Sequence, residues 1–272
     1  DKEQDEDTSA LLSRMIKPFI LRRTKTQVAT ELPSKTEAVI YCEMGKEQRK
    51  VYDQFKEYFR QKLKEQIETE GINKSQVYIL QGLTKLRQIC NSTALADKDK
   101  DYGNYSAKLD ELTRHLKEKV NNHKVLVFSQ FVGMLNLVKD RLNQEKINYE
   151  YLDGQTRDRE DKVNRFQNDD DIRVFLISLK AGGTGLNLTE ADYVYLIDPW
   201  WNPAVESQAI DRCYRIGQDK KVMAYRMICK DSIEEKIVAL QDKKKTVASE
   251  VIRTDLEKKS FDKKDLEKFF GD

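Results

Sequence analysis

Lys124-Val125-Leu126-Val127-Phe128 is an apolar run with no polar residue alternating through it. A strand of that kind is buried on both faces, as in a parallel sheet. Ser129-Gln130-Phe131 ends it, and the spacing then turns helical over 131–143. The same succession recurs down the chain. Tyr149-Glu150-Tyr151-Leu152 runs into Asp153-Gly154, and further apolar strands are predicted at 173–177, 193–197 and 222–228. Helical patterns fall between them at 108–120, at 156–166 and from Pro203 onward. Short continuous strands alternating with helices predict an α/β fold, a parallel sheet with helices on both faces and right-handed crossovers. Ligands bind such sheets beyond the carboxyl ends of the strands. The loops at 129–131, 153–156, 178–188 and 198–203 are therefore expected on one rim.

Upstream, 37–44 alternates around Val39, Ile40 and Tyr41 and predicts a strand. A helix is expected over 46–70, with Val51, Phe55, Tyr58, Phe59 and Leu63 as its apolar stripe. Gly71-Ile72-Asn73 breaks it, and a second helix at 76–91 carries Leu80, Leu83, Leu86 and Ile89. The polar loop 97–105 follows, so 46–105 reads as a helical hairpin inserted between sheet elements. A long helix is expected over 232–250, with Ile233, Ile237, Val238 and Leu240 apolar and Lys243-Lys244-Lys245 exposed. Shorter helices are expected at 11–19 and 262–270, and the first nine residues read as disordered. The domain organisation expected is 1–45 with the first strand, 46–105 as the insertion, 106–230 as the main lobe, and 231–272 as the final helix and tail.

Composition narrows the function classes. The 272 residues carry a formal net charge of +2, so nucleic-acid binding has to use local patches. No apolar run approaches the roughly 18 residues of a membrane span. The acidic opening at Asp1, without a leader pattern, reads as a piece of a longer intracellular protein. Cys42, Cys90, Cys213 and Cys229 are far apart with no CxxC pair, and His115 and His123 are the only histidines. Neither a zinc site nor a disulfide framework is suggested.

The chemistry-bearing stretch is Gln208-Ala209-Ile210-Asp211-Arg212-Cys213-Tyr214-Arg215-Ile216-Gly217-Gln218. Asn202-Pro203 supplies a helix cap and a first-turn proline before it. Read as one helix ending at Gly217, it places Gln208, Arg212 and Arg215 on one face. Two forked guanidinium groups suit a phosphate; the alternative is a solvated helix with an Asp211–Arg215 pair. Gly182-Gly183-x-Gly185 would let backbone amides approach a phosphate, though tight turns use the same residues. Trp200-Trp201 could stack on bases or pack at a domain interface.

Together these segments resemble the second RecA-like lobe of the Swi/Snf-type helicase-like ATPases. KVLVFSQF at 124–131 looks like the family's fourth motif, and YLDGQT at 151–156 like the segment after it. LISLKAGGTGLNLTEADYVYLIDPWWNP at 176–203 resembles the fifth motif with its extension, and 208–218 the sixth. LRRTK at 21–25 with ELPSK at 31–35 resembles the connector from the first lobe. LTKLRQICN at 83–91 is similar to the inserted helical region, and SIEEKI at 232–237 to the helix that braces the lobes.

The resemblance implies a DNA-dependent ATPase that moves on duplex DNA and remodels protein–DNA complexes, with the nucleosome and other DNA-bound proteins all open as its target. It implies that Arg212 and Arg215 act on ATP as arginine fingers, with Gln208, Gly183 and Gly185 at the ATP interface. Ser129, Gln130, Ser178 and Lys180 fall where the lobe tracks DNA. Arg22 and Arg23 match a basic connector element, as DNA contacts or interdomain salt bridges. Trp200 and Trp201 match the extension that couples hydrolysis to movement. The chain departs from the family pattern at Cys213-Tyr214 (usually Ala-His), at Ser92-Thr93 (often His-Pro) and at Leu179 (commonly Thr). It contains no GxxxxGK[ST] loop and no Asp-Glu magnesium box after an apolar strand. ATP and Mg2+ are therefore expected only in the two-lobe enzyme, with the first lobe as partner and this chain inactive alone. A non-catalytic scaffold of the same fold is the alternative; a Rossmann domain is disfavoured because no GxGxxG follows the first strand. The compact insertion leans towards a bacterial protein.

Overall fold

The computed structural model describes Ala29 and residues 31–250, apart from 71, 98, 120, 183 and 184. The expected helices at 11–19 and 262–270, and Arg22, Arg23 and Gly183, lie outside the described residues. Six strands form one sheet: β1 (Lys35–Cys42), β2 (Val125–Ser129), β3 (Tyr149–Leu152), β4 (Val174–Ser178), β5 (Tyr193–Leu196) and β6 (Val222–Cys229). Their order is β1-β6-β5-β2-β4-β3, and every neighbouring pair is parallel, as the apolar runs predict. All six strand ends therefore point to one rim. The connection from β4 to β5 passes over β2, so the loops after these three strands meet at the switch in strand order.

Eight α-helices and one 3-10 turn (Thr93–Leu95) complete the described residues: α1 (Lys46–Glu70), α2 (Ile72–Asn91), α3 (Ala107–Lys119), α4 (Val132–Gln144), α5 (Arg159–Asn168), α6 (Leu179–Gly182), α7 (Pro203–Ile210) and α8 (Ile233–Glu250). β2 and β4 are buried along their whole length, and alternate residues serve opposite faces. Val125, Val127, Val174, Leu176 and Tyr195 pack with the apolar residues of α1, α2, α3, α4 and α8. Leu126, Phe128, Phe175, Ile177, Val194 and Leu196 face Phe166 of α5 and Ala209 and Ile210 of α7. The period-2 alternation of a strand thus fills two cores from one run of sequence.

The hairpin of α1 and α2 shares the first of these cores, with Val51, Tyr52, Leu63, Ile79, Leu83, Leu86 and Ile89 joining Met227, Ile233 and Ile237. Two stripe residues are corrected. Tyr58 and Leu80 are 52% and 48% exposed, while Tyr52 and Ile79 are buried in their stead. Tyr52 stands seven positions before Phe59 and Ile79 four before Leu83, so each shares the buried face, and the Tyr52 hydroxyl accepts the Ile233 N–H at 2.8 Å. α2 begins at Ile72, four residues before the expected start.

The largest correction concerns α7, which ends at Ile210 rather than running to Gly217. Cys213 and Tyr214 are both buried, and adjacent helix positions point about 100° apart. The backbone instead tightens: Arg212 and Cys213 N–H bond three residues back, to Ala209 and Ile210 carbonyls. The Arg212 carbonyl accepts the Leu188 N–H at 3.0 Å. Gly217 takes φ +98° and closes the turn, a left-handed geometry that glycine adopts without strain.

Candidate functional site

The rim is organised by buried carboxylates that the sequence reading passed over. Asp198, fully buried just after β5, accepts the Ser129 hydroxyl, the Gln130 N–H at 3.1 Å and the Asn91 amide at 3.3 Å. Ser129 and Ser178 are register partners at the ends of adjacent strands. Both are buried. The Ser129 hydroxyl holds the β2 and β5 loops together. Ser178 Oγ accepts the Ala181 N–H at 3.3 Å at the start of α6. Lys180, two residues on, is exposed on the rim, and Gln130 is half-buried.

Gly182 and Gly185 have different reasons. A Cβ on Gly182 would meet Phe128 Cε1 at 3.1 Å, so that glycine serves close packing. Gly185 is exposed at φ +29° with open space where a Cβ would stand. That is the position at which a ligand can come close to backbone.

Glu206 is fully buried on α7 and accepts three donors: the Trp200 N–H at 2.7 Å, Gln241 Nε2 at 3.0 Å and Arg226 Nε at 2.7 Å. Arg226 also donates to Glu37 at 2.9 Å. Trp200 and Trp201 are each half-buried in the loop so fixed. Asn202 caps α7 by accepting the Ala204 N–H at 3.0 Å, with Pro203 in the first turn, as expected.

Arg212 is half-buried, and Arg215 and Gln208 are exposed. The turn holding both arginines is pinned from behind by Gln218, whose Nε2 donates to the carbonyls of Thr189 and Ala191 at 2.9 Å and of Cys213 at 3.2 Å. The sixth-motif turn is thereby locked to the segment that follows the glycine loop. Gln218→Ala leaves three carbonyls without this donor. It is expected to lower stability by about 1–3 kcal/mol, read as a drop in thermal midpoint.

All four cysteines are free and buried, and burial pushes the Cys42 and Cys213 thiols up to about 12. These are packing residues, as the composition suggested. Among the described residues, Cys90, Cys229 and Glu234 form the cluster close enough to share a metal. Lys108 Nζ lies 2.6 Å from Glu234, and two cysteine sulfurs with an ammonium against the one carboxylate do not suit magnesium, which takes oxygen ligands. No step here is assigned to a metal.

A model of the helicase conserved C-terminal domain matches residues 107–217, and a model of the SNF2-related domain matches residues 2–95. An uncharacterized ATP-dependent helicase of Mycoplasma genitalium is 36% identical over 261 residues, covering 94% of this chain and 24% of that protein. The C-terminal domain of the Sulfolobus solfataricus SWI2/SNF2 ATPase superposes with a TM-score of 0.64 at 28% identity, covering 82% of this chain and 91% of that one. The core of the same ATPase in complex with dsDNA gives a TM-score of 0.66 at 31% identity, covering 89% and 52%. The chain spans about a quarter of the length of the curated relatives it matches. On these matches, and with its six-stranded parallel sheet, the chain belongs to the Swi/Snf family and has the fold of its C-terminal RecA-like lobe.

Proposed function

We propose that this chain is the C-terminal motor lobe of a DNA-dependent ATPase that translocates on duplex DNA and remodels complexes bound there. Arg212 and Arg215 act on the phosphates of ATP presented by a first lobe, and Gln208, Gly183 and Gly185 line the same interface. One observation carries this reading. The two arginines sit on a turn locked from behind by Gln218, with Arg215 exposed, while the chain has no P-loop of its own. Half of a phosphate site is what that combination describes.

In the transition state the transferring phosphoryl group spreads negative charge over its oxygens, and a positioned guanidinium stabilises it. Closure of the two lobes would bring the arginines to the nucleotide, and opening would release it. Lys180, Gln130 and the Ser178 turn form the DNA-facing rim; Arg22 and Arg23 belong to the connector and are proposed to reach DNA or the other lobe. Trp200 and Trp201 couple the two events. The solved complex of a relative with dsDNA supports duplex DNA as the partner, and nucleosomes or other DNA-bound proteins are proposed as what is moved. With DNA as its track, the protein is proposed to act inside the cell. Salt titration of duplex binding by the full-length protein tests the DNA half. Affinity should fall steeply with salt as phosphate contacts release counterions, and salt-independent or absent binding would remove the translocation reading.

A further inference from the structure

Arg87 of α2 is 2% exposed, yet its side chain leaves the hairpin core and enters the rim. Its guanidinium carbon stands 5.4 Å from the Phe131 ring centre, 5.9 Å from Trp200 and 5.6 Å from Trp201. One terminal nitrogen donates to the Pro199 carbonyl. With the Gln130 amide oxygen turned toward it, the fork also donates to that residue, at 2.7 Å from the other terminal nitrogen. Nε is buried without a partner. Burial pulls the guanidinium pKa down, and the nearby Asp198 carboxylate works against that shift. An apolar side chain of similar volume would avoid this desolvation cost. Packing alone therefore does not account for an arginine here. Its contacts do share a pattern: they fall on the loop after β2 and the loop after β5, and nowhere else among the bonds just named.

We propose that Arg87 is the positioning residue of the tryptophan pair. It fixes where Trp200 and Trp201 stand on the rim, and so links the helical hairpin to movement on DNA. This rests on the motor function proposed above. The cation stands over both indole rings and the Phe131 ring, while its fork fixes the backbone at Pro199 and the amide at Gln130. Without it, the Trp200 N–H is still held by Glu206, but the indoles lose the charge they pack on.

The test has two arms. Trp200 and Trp201 are the only tryptophans of the 272 residues, so the intrinsic fluorescence of this chain reads the pair directly. In Arg87→Met, acrylamide quenching is expected to rise and the emission to shift to the red, with far-UV circular dichroism unchanged. In the full-length protein, DNA movement per ATP hydrolysed is expected to fall roughly tenfold, below the about hundredfold that an ångström of misplacement costs at a reacting centre. Unchanged fluorescence, or an unchanged ratio of movement to hydrolysis, would overturn the proposal. If Arg87→Met does not fold, Arg87→Lys keeps the charge, loses the fork, and is read in the same way. Absence of DNA-stimulated hydrolysis in the wild-type protein would instead overturn the motor reading; the fluorescence arm then decides the positioning of the tryptophans by itself.

Discussion

Replacing Arg212 or Arg215 by alanine in the full-length protein is expected to lower the kcat of DNA-stimulated ATP hydrolysis by about 10³-fold or more. The KM for ATP should change far less, since the interaction strengthens only as charge develops on the phosphoryl group. Arg215 is exposed, and surface substitutions of that kind usually alter stability by no more than about 0.5 kcal/mol. The turn itself is held by other groups: Cys213 and Tyr214 in the core, the Leu188 N–H on the Arg212 carbonyl, and Gln218. A large rate loss with an unshifted thermal midpoint in Arg215→Ala would mark a group acting on substrate. A solvated surface arginine would leave steady-state kinetics at the wild-type rate, and that result would remove the assignment.

The second large effect is on stability. Lys108 and Glu234 are both fully buried and lie 2.6 Å apart. Lys108 also donates to the Ile197 carbonyl at 2.6 Å and the Asn91 amide at 3.3 Å, and Glu234 accepts the Cys229 N–H at 2.9 Å. Burial pulls the Lys108 pKa down, but the Glu234 carboxylate pushes it further up, so the ammonium stays charged. Asn91 continues the chain to Asp198, which places the start of α8 and the rim on one buried polar network. Lys108→Met leaves Glu234 buried without its counter-charge, at a cost of about 3–5 kcal/mol. At roughly 2–4 °C per kcal/mol for a domain of this size, the thermal midpoint should fall by about 10 °C. Lys108→Met combined with Glu234→Leu should recover much of the loss, because an apolar pair needs no charge partner. A double variant as unstable as the single one would show that the pair is not what holds this junction.

The sheet was legible because its strands are buried on both faces, so Val125–Ser129 and Val174–Ser178 carry no competing period. The end of α7 was not. Nothing between Pro203 and Gly217 breaks a helix locally, and the stop comes from contacts with Leu188 and Gln218 elsewhere in the chain. The partner of the Ser129 hydroxyl was not legible either, because Asp198, which takes it, is distant in sequence. Arg87, Lys108, Glu206 and Glu234 sit on helices, where a charged residue is ordinarily solvated. Only tertiary packing shows that each is buried. The proposed site residues Arg215, Gln208 and Lys180 have exposed side chains and were singled out through the motifs that resemble the family, while the groups holding their loops in place were not.

The most direct measurement compares DNA-stimulated ATP hydrolysis by this chain alone and by the full-length protein that carries it. The expected result is no turnover above background for the 272 residues, with or without duplex DNA, and stimulated turnover when the first lobe is present. Turnover by the chain alone would contradict the half-site. A full-length protein whose hydrolysis ignores DNA would contradict the DNA-dependent motor instead.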